Sequence, residues 1–459
     1  TEGVSRPEIS APNRQRVFTS AVTASDYRDR GRPSSWSAAV DGLAADTAGA
    51  AESPRLFVLS AGNTRDPDAW VRYPESLSTN LVHDPGQAWN AITVGACTDK
   101  VDTEGHASLN PVAEAGGLSP FTTTTRTCDR AWPLKPEVVL EGGNAAKDNL
   151  GAVGMPSLNL LTTHNQPLNR LFTTSNATSA ASALCAGMAA QIMAAYPHLR
   201  PETVRALLVH SAQWSDSMRG MFLPADRMPN KGDYVHLIRH CGWGTPDLNR
   251  ALWSAGDSLT LLVEDQVHPY AKVPVKGVVT RDMNLHALPW PKDELEALQD
   301  SPVEMRVTLS YFIEPNPSAR GAASKYHYPS HRLRFDVQRP LDASTENFVA
   351  RVNAAAQRED EGDPVNPSDP NWVLGELQRH RGSLHQDVWK GTAADLASRG
   401  FIAVYPAMGW WRTRPALERY GLPARYSLVV SIQTQQTDID LYAAVEQKIQ
   451  ISNAAAIET

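Results

Sequence analysis

The 459-residue chain carries 43 Lys and Arg against 50 Asp and Glu, a formal net charge of −7. That balance offers no basic field for nucleic acid or an anionic membrane surface. The hydrophobic share of 42% is that of a globular chain with room for two domains. The sequence shows no apolar run expected to span a bilayer and, opening on polar residues from Thr1, no signal peptide. Cys97, Cys128, Cys185 and Cys241 lack the CxxC spacing of a zinc site or a dense disulfide framework. The expected compartment is therefore reducing and cytoplasmic, and neither a metal nor a cofactor is expected.

In chain order, "RVFTSAVT" (16–23) and "RLFVLSAGN" (55–63) have the apolar, β-branched character of buried strands. Between them, "PSSWSAAVDGLAAD" (33–46) predicts a helix with Trp36, Val40 and Leu43 on one face, capped by Ser34 or Ser35. "NAITVGACT" (90–98) and "KPEVVLEGG" (135–143) read as further strands entering loops. "LRPETVRALLVHSA" (199–212) predicts a helix with Pro201 in its first turn and Glu202 complementing the dipole. This rhythm over residues 1–255 predicts an α/β domain built on a doubly wound parallel sheet.

From residue 256 the period falls to two. "VEMRVTLSYF" (303–312), "LRFDVQ" (333–338), "YSLVVSIQT" (426–434) and "DIDLYAAV" (438–445) predict an antiparallel β-sandwich or jelly roll over 256–459. Within it, "NAAAQREDEGDPVNPSDPN" (353–371) is expected to be a polar insertion or loop. Trp410 and Trp411 are expected to pack between sheets rather than to form an exposed binding feature.

The chemistry lies in the first domain. "LSAGN" (59–63) ends a strand in Gly62 and Asn63, and an amide there can donate to a developing oxyanion, although Gly-Asn is also ordinary turn chemistry. "TTSNATSAASALCAG" (173–187) sets hydroxyls before an alanine-rich helix, where each can be a cap, a core residue or a nucleophile. With "AWNAITVGA" (88–96), "LKPEVVLEGGN" (134–144) and "CGWGTPDLNRAL" (241–252), these segments follow one another as in the subtilisin-like serine proteases. Residues 16–255 resemble that family in its bacterial form with a β-rich tail.

The resemblance implies a serine endopeptidase with Ser179 as nucleophile and Asn63 as oxyanion donor. Thr178, Ser179, Ala181, Ala186 and Gly187 match the family's nucleophile pattern; Ala177 replaces its Gly, Ser182 its Thr and Ala183 its Pro. Ser175 also follows a threonine. In the family the serine precedes the helix-closing proline by about eighteen residues, and counting back from Pro197 selects Ser179. An extended protein or peptide substrate is expected as a strand beside Ala21, Val22 and Thr23 and beside Ser60, Ala61 and Gly62.

A serine nucleophile needs a general base, and the base needs an orienting carboxylate. In the family both precede the oxyanion Asn. Here no histidine comes before His83, and Asp26, Asp29, Asp41 and Asp46 lie in no D-x-G strand end. The triad Asp and His are therefore expected upstream of Thr1. His83, His106 and His164 read as solvated or hydrogen-bonded loop histidines without catalytic motifs. The rival expectation is a degenerate subtilase that binds peptides without cutting them. A third, a carbohydrate-binding or scaffold protein, rests only on the paired tryptophans. The resemblance also raises an AAA-type ATPase as a partner.

Overall fold

The computed structural model describes residues 2–25, 30–49, 51–252, 258–318, 327–361, 369–434 and 455–458. They fall into two units, Thr1–Ala251 and Leu252–Thr459, close to the change of period at 255 and 256.

In the first unit, α1 (Glu2–Ser10) is followed by β1 (Val17–Ser20), α2 (Ser35–Ala44), β2 (Leu56–Ser60), α3 (Pro67–Val71) and β3 (Ile92–Thr98). Next come β4 (Asn110–Pro111), β5 (Gly117–Leu118) and β6 (Val138–Glu141). β1, β2, β3 and β6 pair in parallel in that order, with β5 antiparallel on β3. Every residue of β2 and β3 is buried, which is why both read as unbroken apolar runs. Ser34 caps α2, accepting from the Trp36 and Ser37 amides. The buried side of α2 is Ser37, Val40, Asp41 and Ala44, whereas Trp36, expected inside, is 37% exposed. Asp41 explains the rotation: its carboxylate faces inward to accept from the Trp89 and Asn90 amides at 3.0 and 2.7 Å.

The chain continues through β7 (Ala145–Lys147), β8 (Ala152–Gly154) and an antiparallel hairpin of β9 (Leu160–Thr163) and β10 (Phe172–Ser175). Helices α4 (Ala177–Ala195), α5 (Pro201–Ser211), α6 (Asp216–Phe222), α7 (Lys231–Cys241) and α8 (Leu248–Leu252) follow. α4 crosses β1, β2, β3 and β6 and buries Ala181, Cys185, Ala189 and Ile192. By length and composition α4 could span a membrane, contrary to the expectation that no run would; its packing on the sheet makes it a core helix.

The second unit contains β11 (Ser258–Val267), the hairpin β12 (Tyr270–Val273) and β13 (Gly277–Thr280), β14 (Asp282–Ala287), α9 (Lys292–Ala297), β15 (Pro302–Tyr311) and β16 (Arg332–Val337). Then come α10 (Thr345–Glu361), α11 (Glu376–Arg379), β17 (Leu384–Thr392), α12 (Ala393–Ala397), β18 (Phe401–Ala407), α13 (Trp410–Thr413), β19 (Ala424–Thr434) and β20 (Ala455–Glu458). Two four-stranded antiparallel sheets result, ordered β11-β19-β15-β17 and β16-β18-β14-β20. Trp410 and Trp411 are buried with Tyr270. The segment 353–371 is not simply a loop, because α10 runs to Glu361 and packs Phe348 and Val352 into the core. That spacing, continued at Ala356, is a helical stripe that the flanking charges obscured. Residues 438–445, expected as a strand, lie outside the described residues.

Candidate active site

The nucleophile motif sits where a hairpin turns into a core helix. Ser175 is the last residue of β10, and α4 starts at Ala177, so Ser179 lies in the first turn of the helix and Ser175 does not. The turn is tight. Ala177 takes φ +63°, a left-handed value that disfavours a residue with a Cβ, and its amide donates to Gly142 O at 2.5 Å. Gly142 has no room for a side chain: a Cβ there would stand 2.5 Å from Ala96 Cβ and 3.0 Å from Ala177 O. The end of β6 and the start of α4 therefore touch backbone to backbone.

Thr178 ties this turn to the end of β2. Its hydroxyl is buried, accepts from the Gly62 amide at 3.2 Å and lies 2.6 Å from Asn63 Oδ1 and 3.0 Å from Gly62 O, both acceptors for its proton. Asn63 Oδ1 also accepts from the Thr178 amide at 3.0 Å. With Oδ1 committed twice, the Asn63 Nδ2 group is the end of the amide left to donate beside the Ser179 turn. Ser179 itself is half-buried, and its carbonyl accepts from Ser182 Oγ at 2.9 Å. Its amide lies in the first turn, where helix N–H groups lack intrahelical partners and carry the positive end of the dipole.

The segments expected to flank a substrate differ in what they leave open. Ala21 and Val22 are exposed just beyond β1, Val22 by 68%. Thr23 is half-buried, with Oγ1 3.3 Å from His83 Nδ1. Ser60 is the buried last residue of β2. The Ala61 amide donates to Val94 O, while Ala61 O accepts from the His83 amide and from Thr123 Oγ1. The Gly62 amide is given to Thr178. The backbone of Ala61 and Gly62 is thus engaged inside the fold, because the chain folds back over it at residues 83 and 123. A strand edge on this side of the site is replaced by a closed wall.

His83 is a loop residue, buried and hydrogen-bonded rather than solvated. Gly62, at φ +104°, accommodates it: a Cβ at Gly62 would stand 2.2 Å from His83 Cγ. Burial, with Arg65 nearby, holds the His83 imidazole below its ordinary pKa, so the ring is neutral. No local motif announces this contact; only the apolar "LVHDPG" context hints at burial. Asp41 and Asp46 are engaged elsewhere, Asp46 with Arg55 and the Ser53 amide. His164 bonds to the backbone at Gln166 and His106 is exposed. Among the described residues no histidine is hydrogen-bonded to Ser179, and no cluster of three or more His, Cys, Asp or Glu could hold a metal. The four thiols are free and buried, and burial pushes Cys185, in α4, up to about 12. None is a nucleophile at neutral pH.

Residues 1–244 match the subtilase family, Peptidase_S8. The chain belongs to the subtilase family. Over 378 residues this subtilase is 30% identical to the uncharacterised protein y4bN of Sinorhizobium fredii, spanning 75% of this chain and 78% of that protein. Among solved structures it is similar to a protease from Pseudoalteromonas arctica, at 18% identity and a TM-score of 0.30. That match covers 51% of this chain and 50% of the protease, so the chain spans about half its length. Membership makes a serine peptidase the general expectation for this fold.

Proposed function

We propose that this subtilase is the nucleophile-bearing part of a serine endopeptidase, in which Ser179 forms the acyl-enzyme. In the step envisaged, Ser179 Oγ attacks the scissile carbonyl carbon and passes its proton to a general base. The developing oxyanion takes hydrogen bonds from Asn63 Nδ2 and the Ser179 amide. Collapse expels the amine, which takes the proton from the base, and water releases the acid by the reverse path. The observation that carries this reading is the Thr178 bridge, which fixes the Asn63 amide against the first turn of α4.

Ala21, Val22 and Thr23 offer the open edge for an extended peptide, and the second unit is read as a β-sandwich tail. The general base and its orienting carboxylate are expected from outside residues 1–459, as the family resemblance implies; among the described residues no histidine is hydrogen-bonded to Ser179, and Asp26 and Asp29 lie outside the described residues. A fluorophosphonate probe tests the assignment in the full translated product of the gene. Labelling should be lost in Ser179→Ala and kept in Ser175→Ala. A full product that stays unlabelled while binding peptides would instead favour the degenerate, peptide-binding reading.

A further inference from the structure

The loop 125–130, between β5 and β6, gathers four arginines. Arg126 and Arg130 belong to it and are exposed. Arg30, also exposed, reaches it from the segment before α2 and donates from Nη2 to Thr127 O at 3.1 Å. Gly31, at φ +88°, lets that segment close in: a Cβ there would stand 3.1 Å from Cys128 Cβ. Arg239, in the last turn of α7 and 3% exposed, comes from the interior. Its guanidinium donates to Thr125 O at 2.6 Å, to Asp129 O at 3.3 Å and to Cys128 O at 3.4 Å.

Each of these hydrogen bonds goes to a backbone carbonyl. Elsewhere in the unit Arg55 pairs with Glu8 and Asp46, and Arg227 with Asp233. Among the described residues, no carboxylate forms an ion pair with any of the four guanidinium groups at this loop. Asp129, the one acid of the loop, is exposed and forms no ion pair; Asp26 and Asp29 lie outside the described residues. Burial, with Arg126 and Arg130 close by, holds the Arg239 guanidinium below its ordinary pKa, and burial with Arg126 does the same to His236. Positive charge gathered in this way without a counter-ion is relieved when an anion settles on it.

The distribution of charge narrows the kind of anion. The whole chain carries −7, so a long polyanion such as nucleic acid meets repulsion once it extends past the loop. Arg126 and Arg130 are four residues apart, with Arg30 bonded between them at Thr127, so the planar forks are separate and each suits one carboxylate. A short run of Asp and Glu side chains fits that spread. We propose that the loop 125–130, with Arg30 and Arg239, is a docking surface for an acidic polypeptide segment. The segment lays its carboxylates on Arg30, Arg126 and Arg130, and Arg239 supplies fixed positive charge behind them. The surface deepens the proposed function, because it would select acidic polypeptides as substrates of the peptidase. Only that consequence rests on the nucleophile reading; the binding itself asks nothing of Ser179.

The test is fluorescence anisotropy of a labelled octaglutamate peptide titrated with residues 1–459 at low ionic strength. Arg126→Gln combined with Arg130→Gln, both at exposed positions, should weaken binding roughly tenfold and leave the melting temperature unchanged. Lys272→Gln combined with Lys276→Gln removes the same charge from the β12–β13 hairpin of the second unit and should leave binding unchanged. Asp129→Asn, which removes the one acid of the loop, should tighten binding about twofold. Ser179→Ala should bind as the parent chain does, which separates this surface from the nucleophile assignment. Equal loss in both double variants would reduce the effect to net charge and overturn the proposal, as would a parent chain that does not bind. Loss in Ser179→Ala would move the peptide into the cleft and overturn it as well. An octamer of deoxythymidylate held more tightly than octaglutamate, and released by the same arginine substitutions, would assign the patch to nucleic acid and overturn the acidic-peptide assignment.

Discussion

The two units both take charges out of water, the first at Lys135 and Glu137 and the second in a wider set, but they differ in what else holds them. The second unit takes charges out of water and pairs them internally: Arg379 with Asp387, both fully buried, Arg399 with Asp369 and Asp395, and Arg351 with Asp336 and Asp342. The first unit builds its central helix without a single charge and leaves one side of it open to water. A buried pair is satisfied by the opposite charge beside it, whereas an uncharged helix is held by its packing on the sheet. The second unit is therefore expected to respond most to loss of a buried charge partner, and the first to loss of a hydrogen bond at the site.

The sharpest way to break the contrast is to remove one buried partner. Arg379→Met leaves the Asp387 carboxylate buried, still accepting from the Leu374 and Gly375 amides but without its cation. Stranding a buried charge costs about 3–5 kcal/mol. Urea unfolding should show a loss of that order, and a change within error would mean the pair is dispensable.

Acid should act next. Burial pushes His331 down to about 3, and burial with Arg334 and Arg379 nearby holds His380 and His385 well below the ordinary range. Unfolded, these rings protonate near 6.5, so below that pH the unfolded state binds more protons and stability falls as pH drops. Stability should be full above about pH 6.5 and decline towards pH 3 by roughly 1.4 kcal/mol per pH unit for each such ring. His331→Gln should flatten the slope measured by urea titration between pH 7.5 and 5.5; an unchanged slope would mean the ring titrates in the fold as it does in the unfolded chain.

Smaller effects are expected in the first unit, where the site is held by hydrogen bonds. Thr178→Val should cost about 1–2 kcal/mol, because the buried Gly62 amide loses its acceptor. The same change should slow Ser179 labelling, since Asn63 Oδ1 loses the hydroxyl that anchors it. Unaltered labelling would remove the Thr178 bridge from the account. Ala177→Gly relieves a left-handed alanine but adds freedom to the unfolded chain. The net gain should be under about 1 kcal/mol, read as a small rise in melting temperature. A fall would show that the Ala177 methyl is wanted in the core.

What could be read from the sequence follows from the range of the interactions involved. The parallel strands and the start of α4 were legible because they rest on local apolar runs and on the spacing from Ser179 to Pro197. The two serines are separated by one turn of backbone, and spacing sufficed to put Ser175 on the strand side. The Thr178–Asn63 bridge and the seat of His83 under Gly62 were not legible. Both join residues far apart in the chain, and no periodicity encodes such meetings. The rotation of α2 was missed because an inward Asp41 counts as polar until its two amide donors are known. α10 was missed because its charged side outweighed the Phe348 and Val352 stripe.

The central claim is that Ser179 is the nucleophile and that its general base comes from outside residues 1–459. Fluorophosphonate labelling followed by peptide mass spectrometry tests it most directly, on residues 1–459 and on the full translated product. The account predicts a label on Ser179 in the full product, slowed roughly 10²–10³-fold by Asn63→Ala, a magnitude established on a subtilisin for loss of one oxyanion donor. It predicts essentially none on residues 1–459. Labelling of Ser179 in residues 1–459 at the rate of the full product, abolished by His83→Ala, would contradict it and place the base beneath Gly62.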